Sequence, residues 1–206
     1  STLVSLGYLK QLPNTTKYLL DVGVLALGYA ALSNISARTQ AYPFMEEMSR
    51  YAQAPVAMAT RDRLSMIYLE VVHTESTLTM RRPVGSTLPI HSSAMGRACL
   101  AAMEVKEREY LFDAIKKRNE DQWPTIKRNL ERAIRDYQDY GYCLSLGDWA
   151  KDVNSVAVPL IHPKHGILTF NCGAPTYLLN QEKLENEIGP RLIHMVNNIS
   201  LTLNNI

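Results

Sequence analysis

The chain has 206 residues, 46% hydrophobic and 20% charged, a composition that supports one good core plus an appendage. Its 22 basic and 20 acidic side chains leave a net +2, so overall charge makes no case for a nucleic-acid or membrane partner. Cys99, Cys143 and Cys172 are far apart and show no C-x-x-C or Cys/His ligand spacing. Neither a disulfide framework nor a zinc site is indicated, and reduced thiols in a cytoplasmic protein are expected.

Residues 1–20 read as the end of a domain: a helix tail stopped at Gly7, then strand, turn and strand through K-Q-L, P-N-T-T and K-Y-L-L. The apolar run 19–33 contains Asp21, is too short to span a bilayer and lacks the lead of a secretion signal, so no membrane association is expected. Leu20, Val24, Leu27 and Ala31 recur at helical spacing and predict a linker helix over about 20–38. Pro43 fits the first turn of a further helix through about Gln53. From Pro55 the pattern is mixed. Strands are predicted at 56–60 and 64–72 around the turn Arg61-Asp62-Arg63, with a third candidate at 77–82. Helices follow at about 93–103, 105–118 and 124–140, the last ended by Gly141. A second strand pair, 153–161 and 167–173, brackets the turn His162-Pro163-Lys164-His165-Gly166, and a helix over 181–203 closes the chain.

The second strand pair carries the clearest functional clue. Val156, Val158 and Leu160 alternate with Ser155 and Ala157, and Leu168, Phe170 and Cys172 alternate with Thr169, Asn171 and Gly173. With the turn centred near Lys164, Ala157 faces Asn171 and Ser155 faces Gly173. One face is apolar; the other is small or polar and carries no charge. A solvated outer face is the ordinary reading of such alternation. The absence of charge favours a covered pocket instead. The segment G-S-T-L-P-I-H-S-S-A-M-G-R-A-C-L-A-A over 85–102 runs from a turn-rich lead into a helix. The helix start at Ser92-Ser93-Ala94-Met95-Gly96 leaves free N–H groups suited to a carboxylate, while N-capping by the serines is equally compatible. His73, His91, His162, His165 and His194 form no metal-binding set, so no metal is expected. Cys172 alternates inward with Phe170 and has no evident basic partner, which reads as core rather than nucleophile.

Several ordered segments resemble the IclR family of bacterial transcriptional regulators. G-S-T-L-P-I-H-S-S-A-M-G-R-A-C-L-A resembles its G-S-x-L-P-L-H-x-T-A-x-G-K-A-x-L-A segment. Y-G-Y-C-L-S-L-G-D-W, V-A-V-P-L and N-C-G-A-P resemble its C-terminal core, and L-G-Y-L…K-Y-L-L-D-V-G-V-L-A-L-G resembles the end of its winged helix-turn-helix. The resemblance implies an α+β fold: a GAF-like domain with an antiparallel sheet of about six strands flanked by helices, preceded by a linker helix and a winged-helix remnant. It implies a remnant at 1–19, a linker helix at 20–41 and an effector-binding and oligomerisation domain at 42–206. It also implies a homodimer or homotetramer, a small organic or aromatic acid as effector, no cofactor, and operator DNA bound by the full-length protein only. Family pockets carry over onto Ser93, Ala94 and Met95, onto Ser145, Ser155, Asn171 and Gly173, and onto Thr77 and Met80 of an upstream strand. Ser145 stands where some members have a carboxylate and Gly173 where some have a serine, departures that suit a larger or more apolar effector.

Three functions are thus in view. The first is the ligand-sensing part of an IclR-type DNA-binding regulator, which is not an enzyme. The second is a small-molecule hydrolase using Cys172 or a pocket serine. The third is a structural dimerisation module whose pocket is filled by its own side chains.

Overall fold

Helix α1 (Thr2–Ser5) runs out at Gly7, whose φ of 73° lies in the left-handed region that favours glycine. Strands β1 (Leu9–Gln11) and β2 (Tyr18–Leu20) then pair as the expected hairpin, with Leu9 opposite Leu20. The computed structural model describes residues 2–73 and 82–204, and the chain divides into two units, 1–36 and 37–206. The expected linker helix is shorter than its pattern suggested: β2 takes Tyr18–Leu20, and α2 spans Gly23–Ser33. The next helix, α3 (Ser36–Ala52), starts well before Pro43, which lies inside it rather than in its first turn. Proline gives no N–H to the Thr39 carbonyl. The stripe Ala37, Ala41, Met45, Met48 and Ala52 is buried nonetheless, and tertiary packing decides the helix.

The second unit is built on a six-stranded sheet in the order β5-β4-β3-β8-β7-β6, antiparallel throughout. The strands are β3 (Val56–Asp62), β4 (Ser65–Val72), β5 (Thr87–Pro89), β6 (Cys143–Leu146), β7 (Val153–His162) and β8 (Gly166–Pro175). This is the expected α+β architecture. The edge strands β5 and β6 are three and four residues long, too short to show an alternation in sequence. The third strand candidate, 77–82, lies outside the described residues except for Arg82. The β7–β8 register is the one the turn implies, with Ser155 opposite Gly173 and Ala157 opposite Asn171.

Cross-strand rows on one face are apolar. Val56, Cys172 and Val156 form one row, and Met58, Phe170 and Val158 the next, all buried. Helix α8 (Gly189–Asn204) packs on β7 and β8. It follows α7 (Gln181–Lys183) through a π-helical turn over Leu184–Ile188. Pro190, which offers no N–H to Asn186, lies just beyond that wider turn.

The opposite face is not solvated. Ala57, Ala59, Cys143 and Ala157 join a buried cluster with α4 (Ala94–Ala101), α5 (Val105–Arg118) and α6 (Trp123–Tyr140). Small residues on this face let α4 come close. Gly96 lets the segment leading into α4 fold tightly back on the helix: a Cβ there would collide with the backbone of Ile90. Behind α4, helix α6 buries Ile126, Leu130 and Ala133 and ends at Gly141 with φ 82°.

Candidate functional site

Where α4 begins, the cover over the small face is incomplete and a cavity remains. About 50 Å³ of this space is open to water-sized groups, several times what one water needs. Its floor is Asn171, which has Ala57 and Ala157 as cross-strand neighbours and so stands clear of bulk. Beside it Ser155 faces Gly173. A Cβ on Gly173 would lie 2.9 Å from the Cβ of Ser155, so a serine at 173 is incompatible with this close pairing.

The wall opposite is the start of α4. Ser93 is its N-cap: the hydroxyl accepts from the Gly96 N–H at 3.1 Å and donates to the Pro89 carbonyl at 2.7 Å. The Arg97 N–H reaches the Ser93 carbonyl at 3.0 Å. This leaves the N–H groups of Ala94 and Met95 without an acceptor among the described residues, at the positive end of the helix. The Ser155 hydroxyl and the Asn171 amide also have no hydrogen-bond partner among the described residues. Six of the predicted residues therefore line one cavity: Ser93, Ala94, Met95, Ser155, Asn171 and Gly173.

Ser145 lies outside that lining. It sits opposite Ser155 in the β6–β7 pair, but it is buried and its hydroxyl donates to the Ser92 carbonyl at 2.8 Å. It ties β6 to the segment that leads into α4. Thr77 and Met80 lie outside the described residues.

The cavity holds residues that sequence reasoning missed. Tyr68 and Val71 of β4 both face it although their spacing is odd, because a bulge shifts the register between Ala59–Tyr68 and Met58–Glu70. Burial pushes the Tyr68 phenol up to about 12, with the Arg82 charge pulling the other way, so the phenol stays neutral at physiological pH. Trp149 comes from the loop between β6 and β7. The Arg82 guanidinium lies over its ring, 4.6 Å from the centroid. Of the fourteen described residues that line it, Arg82 alone is charged and none is acidic.

Arg97 was also missed. It is 2% exposed, and its Nη1 donates to the Leu144 carbonyl at 2.8 Å and to Asp148 Oδ2 at 2.8 Å, while Nε reaches the His91 carbonyl at 3.4 Å. It fastens α4 to β6 and to the loop that presents Trp149. A second, more polar cleft beside it is lined by His91, Ser92, Asp121, Thr125, Asn129 and Asp148.

The thiols do not supply a nucleophile here. Cys172 is fully buried, and desolvation pushes its thiol up to about 12. Cys99 is raised to about 12 in the same way. The Ser93 hydroxyl, occupied on both sides, is paired with no histidine or carboxylate. No group of three or more His, Cys, Asp or Glu residues that could hold a metal occurs among the described residues. Nor, among them, is any helix long and apolar enough to cross a membrane.

Comparison with known proteins gives a consistent picture. The family model for the bacterial transcriptional regulator IclR C-terminal region matches residues 29–201. The chain is 57% identical to an IclR family transcriptional regulator from Brucella abortus of known crystal structure. That alignment has a TM-score of 0.94 and covers 98% of this chain and 76% of that one. It is 33% identical over 202 residues to the HTH-type transcriptional regulator TsaQ1/TsaQ2 of Comamonas testosteroni, covering 97% of this chain and 73% of that protein. The PobR inducer-binding domain from Acinetobacter, solved as a complex with 3-hydroxybenzoic acid, aligns with a TM-score of 0.64 over 79% of this chain and 97% of that one. At 16% identity that likeness is of fold alone.

Proposed function

The chain belongs to the IclR family of bacterial transcriptional regulators, and from that premise we propose that its cavity is a sensor for a small organic or aromatic carboxylic acid. Occupancy of the cavity biases one of two subunit arrangements of a cytoplasmic homodimer or homotetramer. That bias modulates operator binding by the full-length protein. Residues 1–19 are the tail of the winged helix-turn-helix, 20–41 the linker and 42–206 the sensing and oligomerisation domain.

One observation carries the reading. Among the described residues an otherwise apolar cavity gathers donors with no protein partner (the amides of Ala94 and Met95, the Ser155 hydroxyl, the Asn171 amide) beside one arginine and no acid. These donors converge on the cavity rather than on protein acceptors, and an anionic ligand is the kind of partner that suits the set. The α4 start supplies its dipole to the same point, and Ser155 and Asn171 fix orientation from the sheet. Ser145 acts from behind by holding the Ser92 carbonyl, and Gly173 by allowing the close pairing with Ser155.

Calorimetric screening of organic and aromatic acids tests the proposal. At least one acid is expected to bind with one-to-one stoichiometry, and Ser155→Leu combined with Asn171→Leu is expected to abolish that binding. Binding that survives the double substitution would place the acid elsewhere and overturn the assignment.

A further inference from the structure

We infer that Arg82, laid over Trp149 at the cavity wall, is the counter-ion that makes this cavity prefer a carboxylate over a neutral molecule of the same shape. The inference rests on the acid-sensing reading above and adds a specificity residue to it. Three other arginines of the same unit each have a close acidic partner: Arg38 with Glu70 at 2.7 Å, Arg61 with Glu107 at 2.7 Å, and Arg97 with Asp148 at 2.8 Å. Arg82 has no ion pair among the described residues. Its contacts there are the Trp149 ring and the Thr87 carbonyl, the latter at 3.5 Å, long for a hydrogen bond.

A guanidinium carries five N–H donors in one plane. Contact with an aromatic ring uses its face and leaves those donors for an acceptor at the edge. A carboxylate matches that fork with two parallel hydrogen bonds, whereas a neutral amide offers one oxygen and no charge. Among the described residues the cavity lining contains no Asp or Glu to compete for the position. Tyr68, in the same lining, is a neutral phenol able to donate to the same anion. Val71, Leu88 and the Trp149 ring give the rest of the ligand an apolar surface. The fitting class is therefore a monocarboxylate with a compact or flat apolar body.

The test uses benzoate, 3-phenylpropionate and hexanoate, each beside its primary amide, titrated into the full 206-residue chain by calorimetry. Arg82→Gln is expected to weaken the acids about tenfold to a hundredfold, the scale of one charge-assisted contact. It should move the amides by no more than about twofold, because they make no charge pair with residue 82. Arg82→Lys should recover part of the loss, since it restores charge without the planar fork. In a Trp123→Phe background, acid binding should also change the fluorescence of Trp149, which loses or shifts its cation. If Arg82→Gln weakens acids and amides equally, or neither, Arg82 is not the counter-ion. The acid-sensing reading then stands as long as Ser155→Leu with Asn171→Leu still removes acid binding. If no acid of the panel binds the unsubstituted chain, or if the leucine pair leaves binding intact, both the reading and this inference fall.

Discussion

Arg97 and Asn171 both sit against the start of α4, and the fold treats their polar groups in opposite ways. Arg97 is buried with acceptors at Leu144, Asp148 and His91. Asn171 is nearly as buried, at 9% exposed, yet its amide meets no partner among the described residues. A buried charge with its hydrogen bonds made is a joint that holds elements in one arrangement. The Asn171 amide, left to the solvent of the cavity, is free to take a ligand as its partner. Burial alone thus does not separate scaffold from site in this unit; satisfaction does.

The largest expected effect falls on the joint. Arg97→Met removes a guanidinium that is 2% exposed and leaves the Leu144 carbonyl and the Asp148 carboxylate without it. Breaking one side of a buried pair costs about 3–5 kcal/mol, and the low end applies because Asp148 keeps contact with solvent. Urea unfolding reads this directly. A loss under about 1 kcal/mol would mean that the joint is not one. Next comes Gly173→Ala, whose Cβ meets that of Ser155 at 2.9 Å. Overpacking of this kind costs about 1–3 kcal/mol. Ser155→Gly in the same chain is expected to return most of it; if the double variant is no more stable than the single, the clash lies elsewhere. Asn171→Leu sharpens the comparison from the other side. It exchanges an unpartnered amide for an apolar group of similar size, so stability should change by less than about 1 kcal/mol while acid binding is lost. A large loss of stability on Asn171→Leu would erase the distinction between the two residues.

The part of this arrangement that could be read in sequence is the part governed by short-range rules. The turn around Lys164 fixes the register of β7 and β8, and period-two alternation then puts Ser155, Asn171 and Gly173 on one face. The helix start at Ser93 follows from capping chemistry. What escaped was set by distant contacts or by loops. Arg97 sits in a run of small residues and looks like any surface arginine of a helix; only the arrival of β6 and Asp148 buries it. Tyr68 and Val71 share a face only because of a bulge. Arg82 and Trp149 lie outside regular elements, where no periodicity announces direction. The cover over the small face is likewise a packing outcome: alternation alone fits a solvated face equally well, and the burial of Ala57, Ala59 and Ala157 against α4 decides it.

The smallest predicted effect tests whether the satisfied side is also the electrostatically costly one. His91 lines the cleft beside Arg97, Asp121 and Asp148. Burial first, and the Arg97 charge second, hold its imidazole below the usual value of 6.5. The unfolded chain therefore takes up the proton at a higher pH than the folded one. Above about 6.5 both states hold a neutral imidazole and His91 contributes no pH dependence. As the pH falls below that value, the unfolded state gains a proton that the folded state resists, so stability declines through the window down to the folded pKa. The ring is partly open to water, which screens the effect and keeps it small. Urea midpoints of the unsubstituted chain and of His91→Gln, measured from about pH 7.5 to 5.5, are expected to run parallel at the upper end and separate at the lower. The unsubstituted chain should lose more on acidification. Parallel curves throughout, or a His91→Gln variant that loses more, would show that the ring is charged at no cost and that Arg97 does not reach it.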